Sequence, residues 1–184
     1  MSTHSKSVSP VSISRAVPAD AHRVSALAIE TFPLACPPGT TRENIDLFCA
    51  TQLSPDAFEA YFADPRVRIW CAGEGDELVG YVMTVSGEPE NPVIAASVSR
   101  RPTVEISKIY VRQSAHGSGI AKQLMDVAVE DAKDHDAQSV WLGVNQQNAR
   151  ANSFYERTGF LLVGERRFQV GDSLEEDFVR EMVL

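Results

Sequence analysis

Cysteine is scarce in this 184-residue chain, and the three thiols present, Cys36, Cys49 and Cys71, are an odd number that cannot all pair as disulfides. They also match no metal-ligand spacing, so a disulfide framework and a cysteine metal site are both set aside and a reducing, cytoplasmic location is expected. No apolar run approaches the roughly 20 residues needed to span a bilayer, and a soluble protein is expected. The opening stretch MSTHSKSVSP has no apolar signal-peptide core and reads as a short mobile tail over residues 1–10. Basic residues are in deficit, 17 Lys and Arg against 25 Asp and Glu for a net charge of −8, which argues against nucleic-acid or anionic-membrane partners because both require a basic face. The acidic balance favours a cationic partner, although it also serves solubility alone. No internal repeat or low-complexity tract is present, and the length suits one domain with a single core.

What is there reads as strands interleaved with helices. Val11 to Val17 alternates as a first strand, and Pro18-Ala19-Asp20 opens an amphipathic helix carrying Val24, Leu27, Ala28 and Phe32, ended by the prolines from Pro33 to Pro38. Ile45, Phe48, Phe58, Tyr61 and Phe62 predict one or two short helices, with Ser54 as an N-cap before Pro55. Val67 to Ala72 and Leu78 to Val85 form a hairpin around Glu74-Gly75-Asp76-Glu77, whereas Ser86 to Pro102, punctuated by Pro89 and Pro92, reads as a long mobile loop. A strand from Glu105 leads through a glycine turn into a helix with the apolar stripe Ile120, Leu124, Met125, Ala128, Val129 and Ala132. Val140 to Val144 is a buried strand, the next helix ends at Gly159, and Phe160 to Val163, Phe168 to Val170 and Phe178 to Val183 are further strands. This order predicts a mixed α/β layer structure on one twisted sheet.

Gly117 and Gly119 stand where strand gives way to helix, so backbone N–H groups at the helix start can face an anion without side-chain obstruction. Lys122 occupies the third small position of a dinucleotide fingerprint, and no Gly-Lys-Ser/Thr triplet exists for a P-loop, so both nucleotide readings fail. A glycine turn that binds nothing remains the alternative for these two residues taken alone. His116 reads as a solvent-facing turn residue or a neutral hydrogen-bond donor rather than a base.

The run His116-Gly117-Ser118-Gly119-Ile120-Ala121 resembles the pyrophosphate turn of the GCN5-related (GNAT) N-acetyltransferases: Gln or Arg, two residues, Gly, one residue, then Gly or Ala. His116 departs from that pattern and removes a permanent cation. Asn148, Ala151, Tyr155, Gly159 and Phe160 are similar in spacing to the superfamily's second cofactor segment. The resemblance runs from about Ile13 to the C-terminus and is tightest after Val104. Within the superfamily, EISKIYV, WLGV and VGDSLEEDFV most resemble bacterial polyamine acetyltransferases of the PaiA type.

That resemblance implies one N-acetyltransferase domain over residues 11–184, with a mixed twisted sheet of about seven strands, flanking helices and two central parallel strands splayed to admit acetyl-CoA. It implies direct acetyl transfer to a primary amine, a polyamine or other small cationic amine. A protein or peptide amine, or a catalytically silent acyl-CoA-binding regulator, are the alternatives. Backbone groups of Ile109 and Val111 would pair with the pantetheine amides, residues His116 to Ala121 would cradle the pyrophosphate, and Asn148 would hold the pantetheine. Tyr155 would protonate the departing thiolate. Glu105 matches a position at which some members carry the carboxylate that deprotonates the amine through water; an exposed strand-end carboxylate without a role is the equal alternative. Glu30, Glu43, Asp46 and Asp56 are expected to ring a cationic acceptor unless they are merely solvated helix faces. Phe154 and Trp141 read as core, no cysteine lies in a nucleophile motif, and neither a role for Cys36 nor a homodimer is decided at this level.

Overall fold

In the computed structural model, which describes residues 11–74 and 76–184, seven strands form one sheet. They are β1 (Ser12–Arg15), β2 (Val67–Glu74), β3 (Glu77–Ser86), β4 (Thr103–Val111), β5 (Ser139–Asn145), β6 (Leu161–Val170) and β7 (Ser173–Val183), arranged β1-β2-β3-β4-β5-β7-β6. Six helices accompany them: α1 (Ala21–Thr31), α2 (Arg42–Gln52), α3 (Pro55–Ala63), α4 (Pro92–Ser97), α5 (Ile120–Asp134) and α6 (Ala149–Arg157). The sheet is antiparallel except at β4 and β5, which are joined by the α5 crossover that a parallel pair requires.

Period-two alternation sends neighbouring residues of each central strand to opposite faces. On one face Val82, Val104 and Ile106 meet the α5 stripe, and all six residues expected in that stripe are buried. On the other, Tyr81, Met83 and Ile69 meet Val24, Leu27 and Ala28 of α1 and Phe58 of α3. The Ser54 cap forms as expected, its hydroxyl accepting from the Ala57 amide at 3.2 Å, with Pro55 at the first helical position.

Two irregularities in β4 shape the centre of the sheet. Its parallel ladder with β5 holds only Thr103↔Ser139, Val104↔Val140 and Glu105↔Trp141, yet β4 runs on to Val111 and β5 to Asn145. Beyond Glu105 the two strands part, which is the splay expected there. Against β3, the register passes from Met83↔Lys108 to Thr84↔Ile106, so Ser107 is the extra residue of a β-bulge.

The structure corrects three expectations. Ser86 to Pro102 is not a loose loop: Asn91 caps α4, accepting from the Val93 amide at 2.9 Å, and Ile94 and Val98 are buried against Trp141 and Val179. Arg101 donates to the carbonyls of Ala95 and Val98, while the buried Glu181 carboxylate accepts from the amides of Ser99 at 2.9 Å and Arg100 at 3.2 Å. Second, the strands expected at Phe160–Val163 and Phe168–Val170 are one strand, β6, which begins after Phe160 and whose register shifts between Leu162 and Gly164. Third, the first strand is shorter than Val11–Val17 because Val17 already leads into the turn at Pro18–Asp20. The expected tail at residues 1–10 and Gly75 of the hairpin turn lie outside the described residues; Glu74 and Glu77 are paired across that turn.

Glu181→Ala should leave the Ser99 and Arg100 amides without this acceptor and lower stability by about 1–3 kcal/mol. Denaturant titration measures that loss, and hydrogen exchange should show it as lost protection confined to residues near 91–100. A wild-type protein already unprotected there would restore the loop reading.

Candidate active site

Where β4 and β5 part, a cavity of about 1080 Å³ opens, and Glu105, Ile109, Asn148, Ala151 and Tyr155 all line it. Glu105 is the last residue of the paired ladder and so stands at the fork. Asn148 is the N-cap of α6: its Oδ1 accepts from the Ala151 amide at 3.0 Å, and its carboxamide N–H groups have no partner among the described residues. Tyr155 is buried, with its ring against Phe154 at 5.4 Å and Phe160 at 5.9 Å. Burial pushes its phenol well above the usual range, so it stays protonated at neutral pH.

Residues that sequence reasoning passed over lock α6 in place. Buried Asn152 donates to the carbonyls of Asn145 at 3.0 Å and Asn148 at 2.9 Å, and its Oδ1 accepts from Nε of buried Arg180 at 3.0 Å. Arg180 also donates to Glu156 at 2.8 Å. Each buried polar group is thus satisfied, and α6 is tied to β5 and β7 on either side of Tyr155.

The glycine turn has the geometry its sequence suggests. Gly117 and Gly119 take φ of +80° and +86°, and no atom lies within 4 Å of where a Cβ would stand on either. Gly119 is the N-cap of α5, and among the described residues the amides of Ile120, Ala121 and Lys122 have no hydrogen-bond acceptor. The Ile120 side chain is buried in the core, so only its backbone faces the turn. His116 is not solvent-facing alone: Nε2 lies 2.9 Å from the Val111 carbonyl and Nδ1 faces the Arg150 guanidinium. A ring that donates from Nε2 to the Val111 carbonyl and accepts at Nδ1 from Arg150 satisfies both partners. Val111 and residues 116–121 do not line the cavity, but Asn148 does, and Arg150 two residues on meets His116. The turn therefore adjoins the cavity across the start of α6.

Charge in the cavity is built from strands remote in sequence. The Arg166 guanidinium reaches from β6 across β7, pairing with Asp177 at 3.3 Å and facing Glu105 at 3.8 Å. It lies over the rings of Phe168 at 5.1 Å and Trp141 at 5.8 Å, and a Cβ at Gly143 would collide with it. Trp141, read as core, is buried and also lines the cavity. Burial raises the Glu105 carboxyl above its usual range, with Arg166 and then Lys108 opposing. Burial also pulls the Lys108 ammonium down to about 8, with Glu105 opposing.

None of Glu30, Glu43, Asp46 and Asp56 lines this cavity. Glu30 pairs with Arg112 at 2.8 Å, Asp46 pairs with Arg42 at 2.8 Å, and Glu43 and Asp56 are exposed. Their helices turn apolar faces to the sheet, which leaves the acids outside. The cavity's own carboxylates besides Glu105 are Asp64, Glu88, Glu90, Glu175 and Asp177.

The acetyltransferase (GNAT) family model matches residues 28–160. The chain is 41% identical over 166 residues to an uncharacterised N-acetyltransferase of Mycobacterium tuberculosis, covering 89% of this chain and 99% of the relative. Among solved structures it is similar to the PaiA N-acetyltransferase of Thermoplasma acidophilum in complex with coenzyme A, with a TM-score of 0.74 at 16% identity over 95% of this chain and 99% of that one. It is also similar to Arabidopsis thaliana NAA60 in complex with a bisubstrate analogue, with a TM-score of 0.72 at 17% identity over 95% and 98% of the two chains. At such identities these two likenesses speak for the fold.

Cys36 also lines the cavity, but burial pushes its thiol up to about 11, with Cys49 and Glu175 adding to the shift. Its Sγ lies 3.6 Å from the Phe32 carbonyl. At pH 7.5 such a thiol is almost wholly protonated, and Cys36 should alkylate roughly 10²-fold more slowly than free cysteine, accelerating as pH rises through 10. Peptide mass spectrometry after iodoacetamide pulses measures the rate. Fast labelling at neutral pH would make Cys36 a candidate nucleophile.

Proposed function

The chain belongs to the acetyltransferase (GNAT) family and is an N-acetyltransferase with acetyl-CoA as donor, and on that premise we propose that it passes the acetyl group directly to a small primary amine held in the cavity where β4 and β5 part. One observation carries the reading: the parallel ladder stops at Glu105↔Trp141, and Glu105, Asn148 and Tyr155 line the space beyond it.

The pantetheine lies along the freed edge of β4 at Ile109 and Val111, as an added strand would, with Asn148 donating from its carboxamide. The pyrophosphate meets the amides of Gly117 to Ala121, and Arg150 supplies the permanent cation that position 116 lacks. The amine nitrogen attacks the thioester carbonyl, which backbone N–H groups of β4 polarise. Glu105, directly or through water, takes a proton from that nitrogen, and Tyr155 protonates the departing sulfur. A protonated Cys36 supports direct transfer over an acyl-cysteine. The unit is residues 11–184, and its three free thiols suit the reducing cytoplasm.

For the acceptor we infer a small cationic amine, a polyamine being the leading case. The cavity wall carries Asp64, Glu88, Glu90 and Glu175, with Arg66 bound up between Asp64 at 2.8 Å and Glu90 at 3.8 Å. Carboxylates so placed can pair with a second ammonium while the first reacts.

Tyr155→Phe keeps the ring packing and removes the donor, so kcat should fall by about 10²-fold with acetyl-CoA affinity little changed. Unaltered turnover when chemistry is rate-limiting would remove Tyr155 from the reaction. Spermidine should show a higher kcat/KM than a monoamine of similar length, and the gap should narrow as salt rises or when Glu88 or Glu90 is neutralised. Equal specificity constants, or activity on peptides alone, would overturn the polyamine reading and leave the acetyl-CoA chemistry standing.

A further inference from the structure

An alkylammonium must shed two protons to become an amide: one to free the lone pair before attack, one from the tetrahedral nitrogen afterwards. Glu105 serves one of these steps. The other has no group assigned, yet a second basic side chain stands in the same cavity.

Lys108 is three residues from Glu105, and in a regular strand the two would point to opposite faces. The bulge at Ser107 changes that. Glu105 stands opposite Val85 and Lys108 opposite Met83, two residues apart on β3, so both side chains fall on one face. Lys108 lines the cavity, with Nζ 4.9 Å above the Tyr61 ring and its nearest hydrogen-bonding partner Ser107 Oγ at 3.5 Å. Among the described residues no carboxylate forms a salt bridge with it, in contrast to Arg66 and Arg166 of the same cavity. A lysine withdrawn from water without a counter-ion is not built to hold a structural charge.

From this geometry, and resting on the acetyl-transfer reading above, we propose that Lys108 in its neutral form takes the first proton from the acceptor ammonium. The R–NH₃⁺ group gives one proton to Nζ, which releases it to solvent. The freed nitrogen attacks, the C–N bond forms and the C–S bond breaks. The second proton leaves the nitrogen by way of Glu105 and replaces the one that Tyr155 gives to the thiolate, so one proton is released per acetyl transferred. A base that titrates at about 8 is nearer the working pH and the ammonium's own value of about 10 than a carboxylate is, which makes it the better acceptor for the first step. Burial favours the neutral form of Lys108 against two neighbours: Glu105 favours the protonated form, and the face of the Tyr61 ring of α3 attracts a cation, while the Arg166 charge is taken up by Asp177 and Glu105. On the rim, Asp64 and Arg66 pair with each other, and Glu88 pairs with Arg101. Glu90 lies beside Arg66.

Two measurements test the proposal. In protein labelled with ¹³C-lysine, assigned by the signal lost in Lys108→Met, the Lys108 ε-methylene should titrate with a midpoint near 8; a midpoint at 10 or above overturns the proposal without any assay. With acetyl-CoA and spermidine, or the fastest primary amine of a screen, kcat/KM should rise with pH to a plateau above about 8. Lys108→Met and Lys108→Arg should both fall by about 10²-fold and lose that limb, with acetyl-CoA affinity unchanged. Full activity in Lys108→Arg would show that only charge matters and would overturn the proposal. Acetyl-CoA binding without turnover of any amine would instead overturn the acetyl-transfer reading, and the proton role with it.

Discussion

Everything chemical in this protein depends on a hydrogen-bonded ladder that ends early. Three residue pairs join β4 to β5, after which each strand continues alone. A central strand edge with unpaired backbone groups is unfavourable unless something satisfies it. The cost is met by what surrounds the fork: a firmly paired antiparallel sheet on both sides, and α6 anchored through Asn152 and Arg180. The strands are thus held apart by the rest of the fold, and an extended ligand with amides of its own is the natural complement to the exposed edge.

Charge follows the same logic. Arg166 is paired with Asp177 at 3.3 Å and faces Glu105 at 3.8 Å, whereas among the described residues Lys108 forms no salt bridge, and burial disfavours the charged forms of both Lys108 and Glu105. The displaced titrations arise from burial first and from neighbours second, as the opposing contributions of Arg166 and Glu105 show. Among the described residues Tyr155 has no charged partner, and burial alone raises its phenol above the usual range.

Local signals were legible in the sequence and long-range ones were not. The α5 stripe, the Ser54-Pro55 cap and the unobstructed glycine turn at the start of α5 depend on a few adjacent residues, and each formed as expected. Asn91-Pro92 carries the same cap signature as Ser54-Pro55, but three prolines around a helix of only six residues hid it. Family likeness, not residue pattern, pointed to the splay and to Glu105, Asn148 and Tyr155, and the fold brings all three to one cavity. Arg166, Lys108 and Arg150 were missed because their places depend on facts no local window contains. These are the position of β6 beyond β7, the bulge at Ser107, and the approach of α6 to the glycine turn. The acidic residues of α1 to α3 misled for the converse reason, since composition counts a carboxylate without saying which way its helix faces.

Arg166 projects from the outermost strand into a space that exists only because position 143 carries no side chain. A substitution at either position would remodel the cavity wall beside Glu105 while leaving β4, the glycine turn and the start of α6 as they are. Descent within such a fold can then reshape one side of the cavity by single replacements without disturbing the other. Directed evolution aimed at a different amine would begin at these two positions.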